Sequence, residues 1–372
     1  MERRSLDEAV SWLQLARAEG VGPLTCARLI ERYGDVEAAL RVVRTGPEPR
    51  RIPERSHAVA ELQALLALGA RLVVRTGSDY PDALRPLPDA PSVLTVRGDP
   101  ALLSQPAVAV VGARNASANG CAFARRLARE LAQSGLVVVS GLARGIDTAA
   151  HEGALAAAGG TIAVVATGAD VAYPPENAEL MERIAAEGAV VAERPLGAAA
   201  RAKDFPRRNR VIAGLALAVV VVEAAPASGS LITARLALDY GREVMAVPGS
   251  PLDPRHRGTN QLLRDGAHLV ESAADVLAVV APLVGSAPAP RRAKLPQAAA
   301  PATSASPRPL AAPAEPLAER LLAVLGPTPL AVDELIRECD AAAPEVQAAL
   351  LDLELAGRID RQPGNRVCLR AG

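Results

Sequence analysis

The ten residues Arg201-Ala202-Lys203-Asp204-Phe205-Pro206-Arg207-Arg208-Asn209-Arg210 place five basic side chains and one acid around an aromatic ring, a net charge of +4. Cations can track a phosphate backbone while the ring offers a face to an unpaired base, so this combination suits a single-stranded nucleic acid. The setting sharpens the signal. Phe205 is one of two phenylalanines in 372 residues, and Lys203 is one of two lysines. Pro206 is expected to hold the segment as a loop, and Asn209 offers both donors and acceptors. The plainer alternative is a solvated run of charge with Phe205 buried in a core.

Three further segments stand where strands should end. Val111-Gly112-Ala113-Arg114-Asn115-Ala116-Ser117 combines a glycine that lets an anion approach the backbone with an arginine to bind it. Ser140-Gly141-Leu142-Ala143-Arg144-Gly145-Ile146-Asp147 sets two glycines around Arg144 just before a helix N-terminus, a natural anion site. Ser228-Gly229-Ser230-Leu231-Ile232-Thr233 brings small hydroxyl residues that can line a polar groove. Each is equally readable as a strand-to-helix turn, the last as a capped helix start. Asp147 and His151, four residues apart, could face one side of a helix as an acid and base or as metal ligands. One carboxylate and one imidazole are too few for a metal, so a capping Asp and a packed His is the simpler reading.

Several chemistries lack their residues. Neither lysine follows a glycine as a Walker A loop requires, and no G-x-G-x-x-G follows a strand. No G-x-S-x-G elbow has a partnered histidine. An enzyme of the nucleotide phosphoribohydrolase kind would need a strand-end acid, for which Glu223 is the best candidate, but no second acid follows it at helical spacing. Fold analogy alone supports that alternative.

Balanced charge, 41 basic against 41 acidic residues, confines any nucleic-acid site to a local patch. Half the residues are apolar, as in ordinary globular proteins. Cys26, Cys121, Cys339 and Cys368 form no metal-spaced pair and fit a reducing cytosol. Charges at Glu2, Arg3, Arg4, Asp7 and Glu8 interrupt a signal-peptide core, and the longest uncharged run, Gly153 to Ala169, is too short and too glycine-rich to span a bilayer. A cytoplasmic protein with no membrane partner, metal or cofactor is expected.

The elements that would position these residues follow from periodicity. Residues 6–43 read as a helix, a turn at Gly20-Val21-Gly22-Pro23 and a second helix, which resembles a DNA-binding helix-hairpin-helix or is simply a tight turn between packed helices. From residue 71, valine-rich runs at 71–74, 107–111, 136–139, 161–165, 189–192, 217–222 and 243–247 alternate with helical stretches. Strands buried on both faces and separated by helices predict an α/β fold with a Rossmann-like, doubly wound, mostly parallel sheet. Residues 281–315 are rich in Pro, Ala and Ser and read as a linker. Helices at 316–325, 332–338 and 344–355 and a hairpin at 358–370, turning at Pro363-Gly364-Asn365, resemble a winged helix, with a generic helical module as the alternative. The expected division is 1–66 helical, 67–280 Rossmann-like, 281–315 linker and 316–372 winged-helix-like.

Beyond these readings, the series Ser140 to Asp147 with His151, Tyr173-Pro174-Pro175-Glu176-Asn177, and Phe205-Pro206-Arg207-Arg208-Asn209-Arg210-Val211-Ile212-Ala213-Gly214-Leu215 resembles the DNA-processing protein A family, also called Smf. Ser228 to Ala234, Val247-Pro248-Gly249 and Gly258-Thr259-Asn260 continue the likeness in order, and Asp79-Tyr80-Pro81 and Val96-Arg97-Gly98 precede it. Asn119-Gly120 and Ala192-Glu193 depart from the common Tyr-Gly and Ser-Glu. The resemblance implies a non-catalytic protein that binds and protects single-stranded DNA and helps load RecA recombinase during natural transformation. It also implies a homodimer. The residues it implies for the DNA site are Gly112, Arg114, Ser117, Gly141, Arg144, Lys203, Phe205, Arg207, Asn209, Arg210, Ser228 and Gly229.

Overall fold

The computed structural model describes residues 3–46, 49–157 and 159–284, and beyond them 317–325, 330–332, 335–336, 341, 343–362 and 366–369. The described residues before 285, apart from 117–119, make up one compact unit, and those from 317 belong to another.

The first unit begins with α1 (Arg3–Arg17), α2 (Pro23–Tyr33), α3 (Val36–Thr45) and α4 (Arg55–Ala67). The sequence predicted one helix after the Gly20 turn; the structure has two. Gly34 stops α2 in a positive-φ conformation, and the Asp35 side chain accepts the Ala38 N–H to start α3.

Next come β1 (Ala70–Val74), β2 (Val93–Gly98), β3 (Ala107–Val111), α5 (Ala118–Gln133), β4 (Val137–Ser140), α6 (Ile146–Ala156) and β5 (Thr161–Val165). They are followed by α7 (Ala178–Glu187), β6 (Ala189–Ala192), α8 (Asp204–Leu215), β7 (Ala218–Val221), α9 (Gly229–Asp239) and β8 (Glu243–Ala246). The unit closes with α10 (Arg257–Arg264), β9 (His268–Leu269) and α11 (Ala273–Val280). The strands lie in the order β1-β2-β6-β5-β4-β3-β7-β8-β9. From β6 to β9 they run parallel, while β2 is antiparallel to β6 and to β1. The valine runs are central because both faces of the sheet are covered. Val108 and Val110 pack on one side with Leu127, Leu131 and Ile146, while Ala109 and Val111 pack on the other with Val211, Ile212 and Ala234. Strands β2 and β9 were not among the predicted runs: the first lies after a long irregular segment, and the second is only two residues long.

In the second unit, α12 (Leu317–Val324) and α13 (Ala343–Leu355) enclose Leu321, Val346 and Leu350 with the small sheet β10 (Leu330–Ala331), β12 (Arg366–Leu369) and β11 (Ile359–Gln362), in that order. This is a winged-helix arrangement. Most of the helix expected at 332–338, the turn at 363–365 and the linker from 285 lie outside the described residues.

Candidate nucleic-acid interface

Because the chain leaves β3 toward β4 on one side and returns to β7 on the other, the C-terminal ends of the central strands open into a crevice, where doubly wound sheets hold ligands. The loops after β3, β4 and β5 and the first turn of α8 meet there around a pocket of about 370 Å³, lined by Arg114, Asn115, Gly141, Arg144, Tyr173 and Phe205 among others.

Its centre is aromatic and cationic. The Phe205 ring is half-buried, with the Arg114 guanidinium carbon 4.7 Å from its centroid and that of Arg208 at 6.0 Å. The Tyr173 ring, 44% exposed, lies 5.5 Å away at an interplanar angle of 55°. Arg114 and Arg144 are exposed, and Arg144 pairs with Glu176 at the surface.

Beneath the ring the polar groups are buried. Arg208 donates to the carbonyls of Gly141 and Val164, and burial lowers its pKa to about 10 against the opposing pull of Asp147. Asp147 accepts the Gly141 N–H at 3.1 Å and the Ala143 N–H at 3.4 Å. Burial raises its pKa although Arg208 pulls the other way. A Cβ on Gly141 would strike the Arg208 guanidinium and lie 2.7 Å from Asp147 Oδ2, and one on Gly112 would lie 2.6 Å from Ile146. At both positions protein packing alone therefore demands glycine. His151 has no catalytic setting: it is fully buried, with Nδ1 2.8 Å from Thr161 Oγ1, and burial pushes its pKa down to about 3. Thr161 gives its own hydrogen to the Val138 carbonyl, so Nδ1 is the protonated nitrogen.

The expected loop at 201–210 is a loop only to Lys203. From Asp204 it is helix α8, with Pro206 in the first turn, where a missing N–H costs no intrahelical bond. Helical rotation then separates its cations. Lys203 and Arg207 are exposed, Arg208 turns under Phe205, and Arg210 is buried, donating to the Asp89 carbonyl and to both Glu193 oxygens at 2.6 Å. Asn209 is buried and donates to the Gly229 carbonyl at 3.2 Å, tying α8 to the start of α9. Ser228 caps α9. Ser117 is half-buried just before α5. The pocket thus gathers Arg114, Gly141, Arg144 and Phe205, while Gly112, Ser117, Lys203, Arg207, Asn209, Arg210, Ser228 and Gly229 lie outside its lining. Tyr173 and Arg208 also line the pocket and were not among the expected site residues; for Tyr173 the scarcity of tyrosine and the two prolines after it were the available signal.

Over residues 71–281 the sequence matches the family described as DNA recombination-mediator protein A. A helix-hairpin-helix domain typical of the N-terminus of DprA proteins matches at 6–64, and the DprA winged helix domain at 298–365. Protein Smf of Synechocystis sp. is 33% identical over 394 residues, covering 96% of this chain and 98% of that protein. The chain belongs to the DNA recombination-mediator protein A family. The X-ray structure of the Streptococcus pneumoniae DNA processing protein A superposes with a TM-score of 0.64 and 34% identity over 73% of this chain and 97% of that one. A second family member, from Helicobacter pylori, has been described for its single-stranded DNA binding mode; it superposes with a TM-score of 0.52 and 31% identity, over 57% of this chain and 96% of that one. Among the described residues no helix is long and apolar enough to cross a membrane.

Proposed function

We propose that this chain binds single-stranded DNA at the crevice around Phe205, protects it and helps load RecA recombinase onto it, as a cytoplasmic, non-catalytic homodimer. The observation that carries the reading is the half-buried aromatic ring flanked by Tyr173 and by the exposed guanidinium of Arg114. Bases stack on the rings, and Arg114, Arg144, Lys203 and Arg207 follow the backbone. A phosphate reaching Arg144 exchanges places with Glu176, a low-cost step for a surface ion pair. Arg210, Asn209, Ser228, Gly112 and Gly141 act one layer back, holding α8, α9 and the strand-end loops in register. A binding role is favoured over catalysis at Glu223 by that residue's surroundings. Its side chain is 1% exposed, 3.8 Å from His256 Nε2, and covered by Gly120, where an added Cβ would lie 2.5 Å from the carboxylate. The four-part division at 66, 280 and 315 gives this binding core one helical and one winged-helix accessory, joined to the latter by a linker.

Gel shifts with single- and double-stranded DNA across a salt series test the reading. Single strands are expected to bind more tightly, with affinity falling as salt rises because each neutralised phosphate releases counterions. Arg114→Ala should weaken every sequence alike and reduce the salt slope by about one. Equal binding of both DNA forms, or an unchanged slope, removes the proposed interface. Light scattering at micromolar concentration should give twice the monomer mass; a monomer with and without DNA rules out the dimer.

A further inference from the structure

In a DNA-reading helix-turn-helix module, of which the winged helix is a variant, the recognition helix enters the major groove and reads base edges with arginine, lysine, asparagine or glutamine. In the C-terminal unit that place belongs to α13, the helix before the β11–β12 hairpin. Its composition is unsuited to the task. Over Ala343–Leu355 it holds three acids, Glu345, Asp352 and Glu354, and no basic residue. Its one amide, Gln347, is half-buried beside Arg361 of β11. Arg361 also pairs with Glu354 at 2.9 Å, which leaves Arg358 and Arg366 as the exposed cations next to and on the hairpin without a described partner. Residues 316–372 carry nine acidic against six basic residues, whereas the chain as a whole is balanced. The basic footprint of a nucleic-acid reader is missing here.

The outer face of α13 carries an apolar stripe instead. Leu351 is 51% and Leu355 79% exposed, and they are the exposed large apolar side chains among the described residues of this unit. With the exposed Pro344 and Ala348 they recur at spacings of four, three and four, the period that keeps side chains on one side of a helix. The stripe runs about 16 Å at 1.5 Å per residue, roughly three turns of a partner helix. Val346, Leu350 and Leu353 build the unit's own core, in which the stripe leucines take no part. Charge decides what can cover the stripe. Nucleic acids and anionic membranes are repelled by the exposed Glu345 and Asp352. A second copy of α13 would bring the same three acids and no base. A cationic protein segment with an apolar side is complementary on both counts.

We propose that α13 is a docking surface for a basic amphipathic helix of a protein partner, whose apolar residues cover Ala348, Leu351 and Leu355 while its lysines or arginines meet Glu345 and Asp352. Partner helices of this kind are recognised through anchors one and two turns apart. The winged helix then recruits a protein rather than reading DNA, and it does so independently of the crevice around Phe205.

The test is fluorescence anisotropy of the full chain with a labelled peptide of leucine and lysine, about two heptads long and patterned as an amphipathic helix. Its controls are the same composition in scrambled order and a leucine and glutamate counterpart. The patterned lysine peptide is expected to bind about 10-fold or more tightly than either control, and less tightly as salt rises. Leu351→Gln combined with Leu355→Gln should abolish that preference. Glu345→Gln combined with Asp352→Asn should weaken it about 3- to 10-fold and flatten its salt dependence. All four positions are exposed, so the melting temperature should move by less than about 2 °C. With the leucines replaced, affinity for oligothymidylate and for duplex DNA and the mass by light scattering should stay as in the parent chain. Equal binding of the three peptides, or a preference that survives both double variants, overturns the proposal. A fall in duplex affinity on replacing the leucines would make α13 a DNA reader, and a fall in mass would give the face to a second copy; either result overturns it as well.

Discussion

Replacing Arg208 with methionine is expected to lower the free energy of unfolding by about 3–5 kcal/mol, the usual consequence of removing one partner from a buried charged network. The guanidinium serves the carbonyls of Gly141 and Val164 and offsets the buried carboxylate of Asp147. Methionine fills similar volume and supplies none of these donors. The melting temperature should fall by about 6–20 °C, taking roughly 2–4 °C per kcal/mol for a domain of this size. Lysine should not rescue it, because a single ammonium lacks the planar fork that reaches several acceptors at once. Adding Asp147→Asn should recover part of the loss, since the carboxylate then no longer lacks compensation. A loss under about 1 kcal/mol in chemical denaturation would show that the network is not under this load.

The second large effect is on binding. Phe205→Ala should cost about 1–3 kcal/mol of single-strand affinity, and Phe205→Trp should retain most of it. The ring is half-buried against Tyr173 and Arg114, so its removal should destabilise the fold by less than the about 3–5 kcal/mol typical of a core phenylalanine. Affinity by anisotropy and melting temperature, measured on both variants, separate the two roles. A large drop in melting temperature with unchanged affinity in the protein that stays folded would make Phe205 a packing residue and refute stacking.

These two variants concern neighbours on one helix, and they mark how far the sequence alone could be read. Valine runs bounded by glycine are legible because a strand covered on both faces tolerates little else, and the strands from β3 to β8 appear where the runs predicted them. The winged-helix character of the C-terminal unit was legible from helix periodicity followed by two short β-runs. The glycine loops and the cationic aromatic segment were also legible as candidates, and Arg114, Gly141, Arg144 and Phe205 from them do line one pocket, since side-chain type and chain order are local properties. Which members of that segment face the crevice was not. Successive residues on a helix point about 100° apart, so the three cations of the segment that fall on α8 are sent to different environments. Arg207 reaches solvent, Arg208 the interior beneath Phe205, and Arg210 a carboxylate on the far side of β6 in the chain, at Glu193. Nor could spacing show that Tyr173, 32 residues before Phe205, would bring its ring to 5.5 Å. Such contacts join residues from different strand-end loops, and only the order in which the sheet assembles its strands sets them side by side.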